Sequence, residues 1–217
     1  MRRDFAYILS AIRDGSIPIC GIKKEVSLAT DPSREWLEAL AGIASKEFNM
    51  PLERFKIYEV FDRKSKIPCF RLKVYSVSLY RRLSEFYQPG DQIAWKTPAA
   101  IRSERIDVVK SYIAGFYDAE GGCRNVEKFL NGTTKTINYW ASIRCKHVSE
   151  NEPLRFLQEK LKGLDIGSNI YDNDELVITG KKNLKLFYRS IPLMHPRKKD
   201  ELCKLIDYSE HVLSMHE

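Results

Sequence analysis

Two acids stand out by their setting. Glu120 follows Tyr112-Ile113-Ala114-Gly115-Phe116-Tyr117-Asp118-Ala119 and precedes Gly121-Gly122, while Asp14 follows the apolar stretch Phe5 to Ile12 and precedes Gly15. An apolar run stopped by an acid and a glycine reads as a helix ending in a carboxylate, because glycine is the usual C-terminal punctuation of a helix. Carboxylate oxygens suit a hard cation such as Mg²⁺. Gly115 and Ala119 lie four apart, so they share a helix face without bulky side chains, which lets a second helix approach closely. Other enzyme classes lack their signatures, with no Ser/His/Asp arrangement, P-loop or dinucleotide-binding glycine pattern. The cysteines (Cys20, Cys69, Cys123, Cys145, Cys203) form no CxxC pair and no Cys/His cluster, and read as reduced thiols inside a cell.

The elements that must position these acids follow one plan executed twice. After the first helix come Ile17 to Cys20 and Lys24 to Leu28, short and partly alternating; after the second comes Thr136 to Ile143. Both read as hairpin material. Amphipathic helices follow over Ser33 to Phe48 and Glu150 to Leu161, then paired strands (Phe55 to Val60 and Phe70 to Tyr75; Ile170-Tyr171 and Glu175 to Ile178). Each half returns to helix, over Ser78 to Phe86 and over Asn183 to Tyr188. Turn residues in Gln88 to Gln92 and Lys96 to Pro98 mark the linker, and Lys198 to Leu213 has the spacing of a last helix.

Composition sets the outer bounds. With 217 residues, 43% hydrophobic and 30% charged, the chain is a globular protein long enough for two lobes. No apolar run nears the roughly 20 residues of a membrane span, and Arg13 and Asp14 interrupt the N-terminal apolar stretch before a signal-peptide core forms. No membrane and no secretion are expected; the place is intracellular, in cytoplasm, nucleoid or an organelle. A net charge of +7 favours a polyanionic partner.

The second helix resembles the LAGLIDADG motif: Ile113 to Gly121 fall on its nine positions in order, with apolar, small and acidic types in place. The chain is thereby similar to the single-chain, two-motif LAGLIDADG homing endonucleases of introns and inteins. That resemblance implies an α+β fold of two pseudo-symmetric αββαββα lobes, residues 1–88 and 108–217, joined by a linker over 89–107. Their antiparallel sheets would form a saddle, with the motif helices packed at the lobe interface through Ser10, Ala11, Gly115 and Ala119. It implies that Asp14 and Glu120 hold Mg²⁺, with Mn²⁺ able to substitute, and act in metal-assisted phosphodiester hydrolysis. Lys146, near the end of the second lobe's strand, would polarise water; the first lobe carries Ala29 to Pro32 there, without a lysine. The first motif is out of register, since Arg13 stands where the family has a small residue. Either its helix is one residue shorter, or Asp14 sits one step early on it.

The resemblance also implies that each sheet follows a major groove of double-stranded DNA. Lys24, Ser27, Thr30, Arg71, Lys73 and Tyr75 in the first lobe, and Lys135, Asn138, Ser142 and Arg144 in the second, alternate with apolar neighbours and are the candidate contacts. Lys64 and Lys66, between two expected strands, and Lys198, in a basic cluster near the C-terminus, are candidate phosphate contacts. His195 reads as structural. The expected activity is cleavage of both strands at a long asymmetric site by a monomer with no obligate protein partner. An intron-RNA-binding maturase, or a catalytically decayed DNA-binding protein on the same scaffold, is the alternative.

Overall fold

A computed structural model of the protein describes residues 1–19, 24–61, 67–90, 92–130 and 134–214. The first lobe holds helix α1 (Arg3–Ala11), which tightens into a 3-10 turn (Ile12–Asp14), then strand β1 (Glu25–Asp31), α2 (Arg34–Glu47), β2 (Phe55–Val60), β3 (Cys69–Tyr75) and α3 (Val77–Ser84). A connector with a 3-10 turn (Gln92–Ala94) and the short helix α4 (Ala99–Arg102) leads to the second lobe. That lobe runs α5 (Ile106–Glu120), β4 (Gly121–Leu130), β5 (Thr134–Arg144), α6 (Glu152–Lys162), β6 (Asn169–Tyr171), β7 (Glu175–Thr179) and α7 (Lys181–Ser190), and α8 (Pro196–Ser214) follows. Helix starts are set locally: the side chains of Ser33, Ser76 and Asn151 accept the backbone N–H groups of Trp36, Leu79 and Leu154. Among the described residues no helix is long and apolar enough to cross a membrane.

The sheets are antiparallel, ordered β1-β3-β2 in the first lobe and β4-β5-β7-β6 in the second. The second lobe has the expected αββαββα order. The first departs from it: ahead of β1, the described residues contribute one isolated bridge, Ser16 to Ser27. Pro18 follows two residues later and has no N–H to give to a ladder, which stops the pairing there.

Helices α1 and α5 pack on each other at the centre. Residues Phe5 to Ala11 are all buried, and so are Ser111 to Asp118. A helix apolar nearly all round needs covering on every side, and here each motif helix is covered by its partner and by its own lobe. The crossing point demands glycine: a Cβ on Gly115 would overlap the carbonyl of Tyr7 and the hydroxyl of Ser10. The Ser10 hydroxyl is held at that contact by donating to the Tyr7 carbonyl, at 3.0 Å. Ala11 is fully buried and Ala119 packs partly buried against the same core.

Candidate active site

The two motif helices end in Asp14 and Glu120. The first motif helix ends in a 3-10 turn, Ile12–Asp14, where the second stays α-helical to Glu120. A 3-10 helix rises roughly 2.0 Å per residue against roughly 1.5 Å for an α-helix, so three such residues cover about the length of four α residues. Asp14 Oδ2 accepts the backbone N–H of Thr30 at 3.2 Å. Burial, and then repulsion from Glu120, push its carboxyl up to about 8, against the pull of the Thr30 N–H and Lys198. Burial also raises Glu120, with Lys198 and Arg13 pulling the other way. No hydrogen bond to the Glu120 carboxylate is seen among the described residues. Two half-buried acids that repel each other fit a hard divalent cation, whose charge relieves both and whose remaining positions take water or phosphate oxygen. Among the described residues no third Asp, Glu, His or Cys completes a metal-binding group.

Two cations lie by these acids, and the sequence reading missed both roles. Lys198 is not a surface phosphate contact: it is 5% exposed, and its Nζ donates to the carbonyls of Asp118 (2.6 Å) and Ala119 (2.9 Å). Burial lowers it, opposed by Asp31, Asp118, Asp14 and Glu120. Arg13, 4% exposed, donates to the Trp95 carbonyl at 2.8 Å and to Cys145 Sγ at 3.7 Å, and lies over the Phe116 ring at 4.8 Å. Arg13 and Glu120 line one cleft of about 570 Å³ with Gln92, Arg144, Cys145 and Lys146. Lys146 and Arg144 are the exposed cations of that cleft, and Arg144 is paired with Glu175. The signal for Lys198 lay in its distance from the helix start, three residues after His195; among three consecutive basic residues it resembles a solvated lysine.

A buried polar chain joins the lobes beneath the acids. Asp118 Oδ2 accepts Tyr7 Oη (2.6 Å), Met194 N (2.7 Å) and His195 N (3.1 Å), and Trp36 Nε1 donates to Tyr7 Oη at 2.8 Å. His195 stacks on Trp36 and bonds Asp31 through Nε2 at 3.1 Å. For Asp31 burial works upward, but the bonds from His195 and the Ser33 N–H hold it below its ordinary value. For Asp118 burial outweighs its bonds and the carboxyl is raised.

No protein-family model matches the chain. The homing endonuclease I-ApeI of Aeropyrum pernix is 24% identical over 210 residues, spanning 92% of this chain and 86% of that protein. Among solved structures, I-DmoI in complex with DNA and Mn aligns with a TM-score of 0.53 at 19% identity, over 89% of this chain and 98% of that one. The K262A mutant of I-SmaMI aligns with a TM-score of 0.60 at 10% identity, over 97% and 92%. The fold is that of the LAGLIDADG homing endonucleases.

In this LAGLIDADG fold the predicted contact residues divide. Arg71, Lys73 and Tyr75 alternate along β3 and share one face with Lys56 and Tyr58 of β2, while Leu72 and Val74 point into the core. Thr30 stands opposite Arg71 and accepts its Nε at 3.1 Å; Lys73 pairs with Glu25 at 2.6 Å. Lys24 lies over the Tyr80 ring of α3. Ser27 stands opposite Lys73 on that face but is buried, covered where Ser16 bridges to it. In the second lobe Asn138 and Arg144 are exposed, with Arg144 bonded to Glu175 at 3.1 and 3.4 Å, whereas Ser142 is buried and bonded to Glu175. Lys135 has its backbone in β5, opposite Phe129; its side chain, like Lys64 and Lys66, lies outside the described residues.

Proposed function

We propose that the protein is a site-specific double-strand DNA endonuclease that hydrolyses one phosphodiester on each strand of a long asymmetric site. The observation that carries this reading is the pair Asp14 and Glu120, two half-buried carboxylates delivered by crossed helices to one place between two sheets. Such a pair is costly without a cation, and its donors suit Mg²⁺ or Mn²⁺. When bound, the metal supplies a nucleophile from water and neutralises charge on the leaving oxygen. The chain's own residues do the rest. Asp14 and Glu120 hold the metal, Lys198 fixes the end of α5 so that Glu120 is aimed, and Lys146 at the cleft supplies positive charge to the phosphate. The basic strand faces hold the duplex across both lobes, and salt weakens that hold steeply. A single chain carrying both motif helices acts as a monomer.

The test is cleavage of a DNA library of candidate insertion sites in Mg²⁺ and in Mn²⁺, with Asp14→Asn and Glu120→Gln beside the wild type. The expected result is one long sequence cut by the wild type and bound but uncut by either variant. A wild type that binds DNA and never cuts in either metal overturns the reading and makes intron RNA the next ligand to try.

A further inference from the structure

Arg13 occupies a position that an ordinary structural arginine does not. It is 4% exposed at the lobe junction, yet its partners are all neutral, the Trp95 carbonyl, the Cys145 thiol and the Tyr87 and Tyr112 hydroxyls, and its Nε is buried without a partner among the described residues. The rings of Tyr87 and Phe116, at 5.7 and 4.8 Å, hold the guanidinium in place. A buried charge without a hydrogen-bonded counter-ion is costly, so a fold keeps one where the charge itself is used. Of the two motif acids only Glu120 lines its cleft, together with Asp172, Asp174 and Glu175, the last bonded to Arg144. The other acid, Asp14, is bonded instead to the Thr30 N–H. The two halves of the site therefore carry different fixed charge.

We infer that Arg13 is a positioning residue, a fixed countercharge held beside Glu120 and not beside Asp14, which makes the two strand-cutting halves of the site inequivalent and sets the order in which the strands are cut. This rests on the endonuclease reading for its effect on cutting, but not for its effect on the acid. The guanidinium opposes cation binding at Glu120 in the free protein. Once a phosphate is present, the same charge favours the negative charge that develops on it, so its loss slows the half of the reaction that Glu120 serves.

The test uses the full chain as wild type, Arg13→Met, Arg13→Gln and Arg13→Lys. Methionine fills the aromatic box without charge, glutamine is a second neutral replacement should methionine not fold, and thermal melting confirms folding for each. Mn²⁺ binding to the DNA-free protein is measured by calorimetry at about pH 9, where carboxylates are ionised, and cleavage is followed on a plasmid site with each strand labelled separately. The neutral variants are expected to bind Mn²⁺ more tightly, by roughly threefold to tenfold, as one unit charge at short range in a partly buried site allows. They should cut one strand about tenfold more slowly and the other within about twofold, so that nicked plasmid accumulates. Lysine should restore the wild-type pattern in part. Unchanged Mn²⁺ affinity with an unchanged strand ratio overturns the inference and leaves the endonuclease reading intact; equal slowing of both strands overturns it as well. A wild type that cuts nothing, while Mn²⁺ affinity still responds to the neutral variants, sinks the endonuclease reading and leaves the countercharge in place.

Discussion

The ammonium of Lys198 sits on the last turn of the helix that carries Glu120, bonded to the carbonyls of Asp118 and Ala119. A cation at a helix C-terminus complements the carbonyls left over there, and this one also faces the field of four carboxylates. Replacing it with methionine leaves those acids without their buried partner. Lys198→Met is expected to lose on the order of 3 kcal/mol of stability and at least about 100-fold in cleavage rate. Urea denaturation and strand cleavage on the same preparation check both.

Proton linkage at Asp14 gives a second prediction. Its carboxyl is raised from 3.8 to about 8 on folding. The folded protein therefore holds a proton that the unfolded chain releases at lower pH, so without metal, stability falls as pH rises through the window from about 4 to about 8 and then levels off. Mg²⁺ takes the proton's place. Thermal melts should show Mg²⁺ stabilising the protein strongly at about pH 8.5 and little at about pH 5.5, and Asp14→Asn should flatten the metal-free profile.

The two helical glycines should answer oppositely to alanine. At Gly115 the new methyl meets the Tyr7 backbone, which cannot swing aside, and the expected cost is about 3 kcal/mol. At Gly42, in α2, nothing lies within 4 Å of the new Cβ, and Gly42→Ala should stabilise by about 0.5 to 1 kcal/mol. Denaturant midpoints of the pair measure this directly.

On the first lobe's sheet, Arg71→Ala and Lys73→Ala remove exposed-face cations whose present partners, Thr30 and Glu25, are readily given up for phosphate. If these side chains touch the DNA backbone, each loss lowers the salt slope of binding by about one and weakens all sequences alike; a base contact instead relaxes preference at one position. Binding titrations at several salt concentrations tell the two apart. Ser27→Ala, at a buried position, should change neither.

The second lobe was legible because its elements obey local rules: α5 carries its motif in order, and β5 alternates between exposed Asn138 and Arg144 and buried Ala141 and Ile143. The first lobe was less so. Arg13 breaks the small-residue pattern, and nothing local says that Trp95 and Cys145 will come from far along the chain to receive it. Lys198 looked solvated because its partners lie some eighty residues away. Ser27 follows the alternation that marks an exposed face and stands opposite Lys73, but the bridged segment at Ser16 covers it. Burial of charge depends on contacts remote in sequence, and periodicity carries no record of them.

The docking of residues 194–198 onto α5 also bears on when the protein acquires its chemistry. Met194, His195 and Lys198 join the centre from a segment that leaves the ribosome well after both acids. Chains fold from their N-terminal end as they are made. A nascent chain can thus pair its two motif helices and still lack the cation that secures the end of α5, so the centre is completed only once residues 194–198 have emerged.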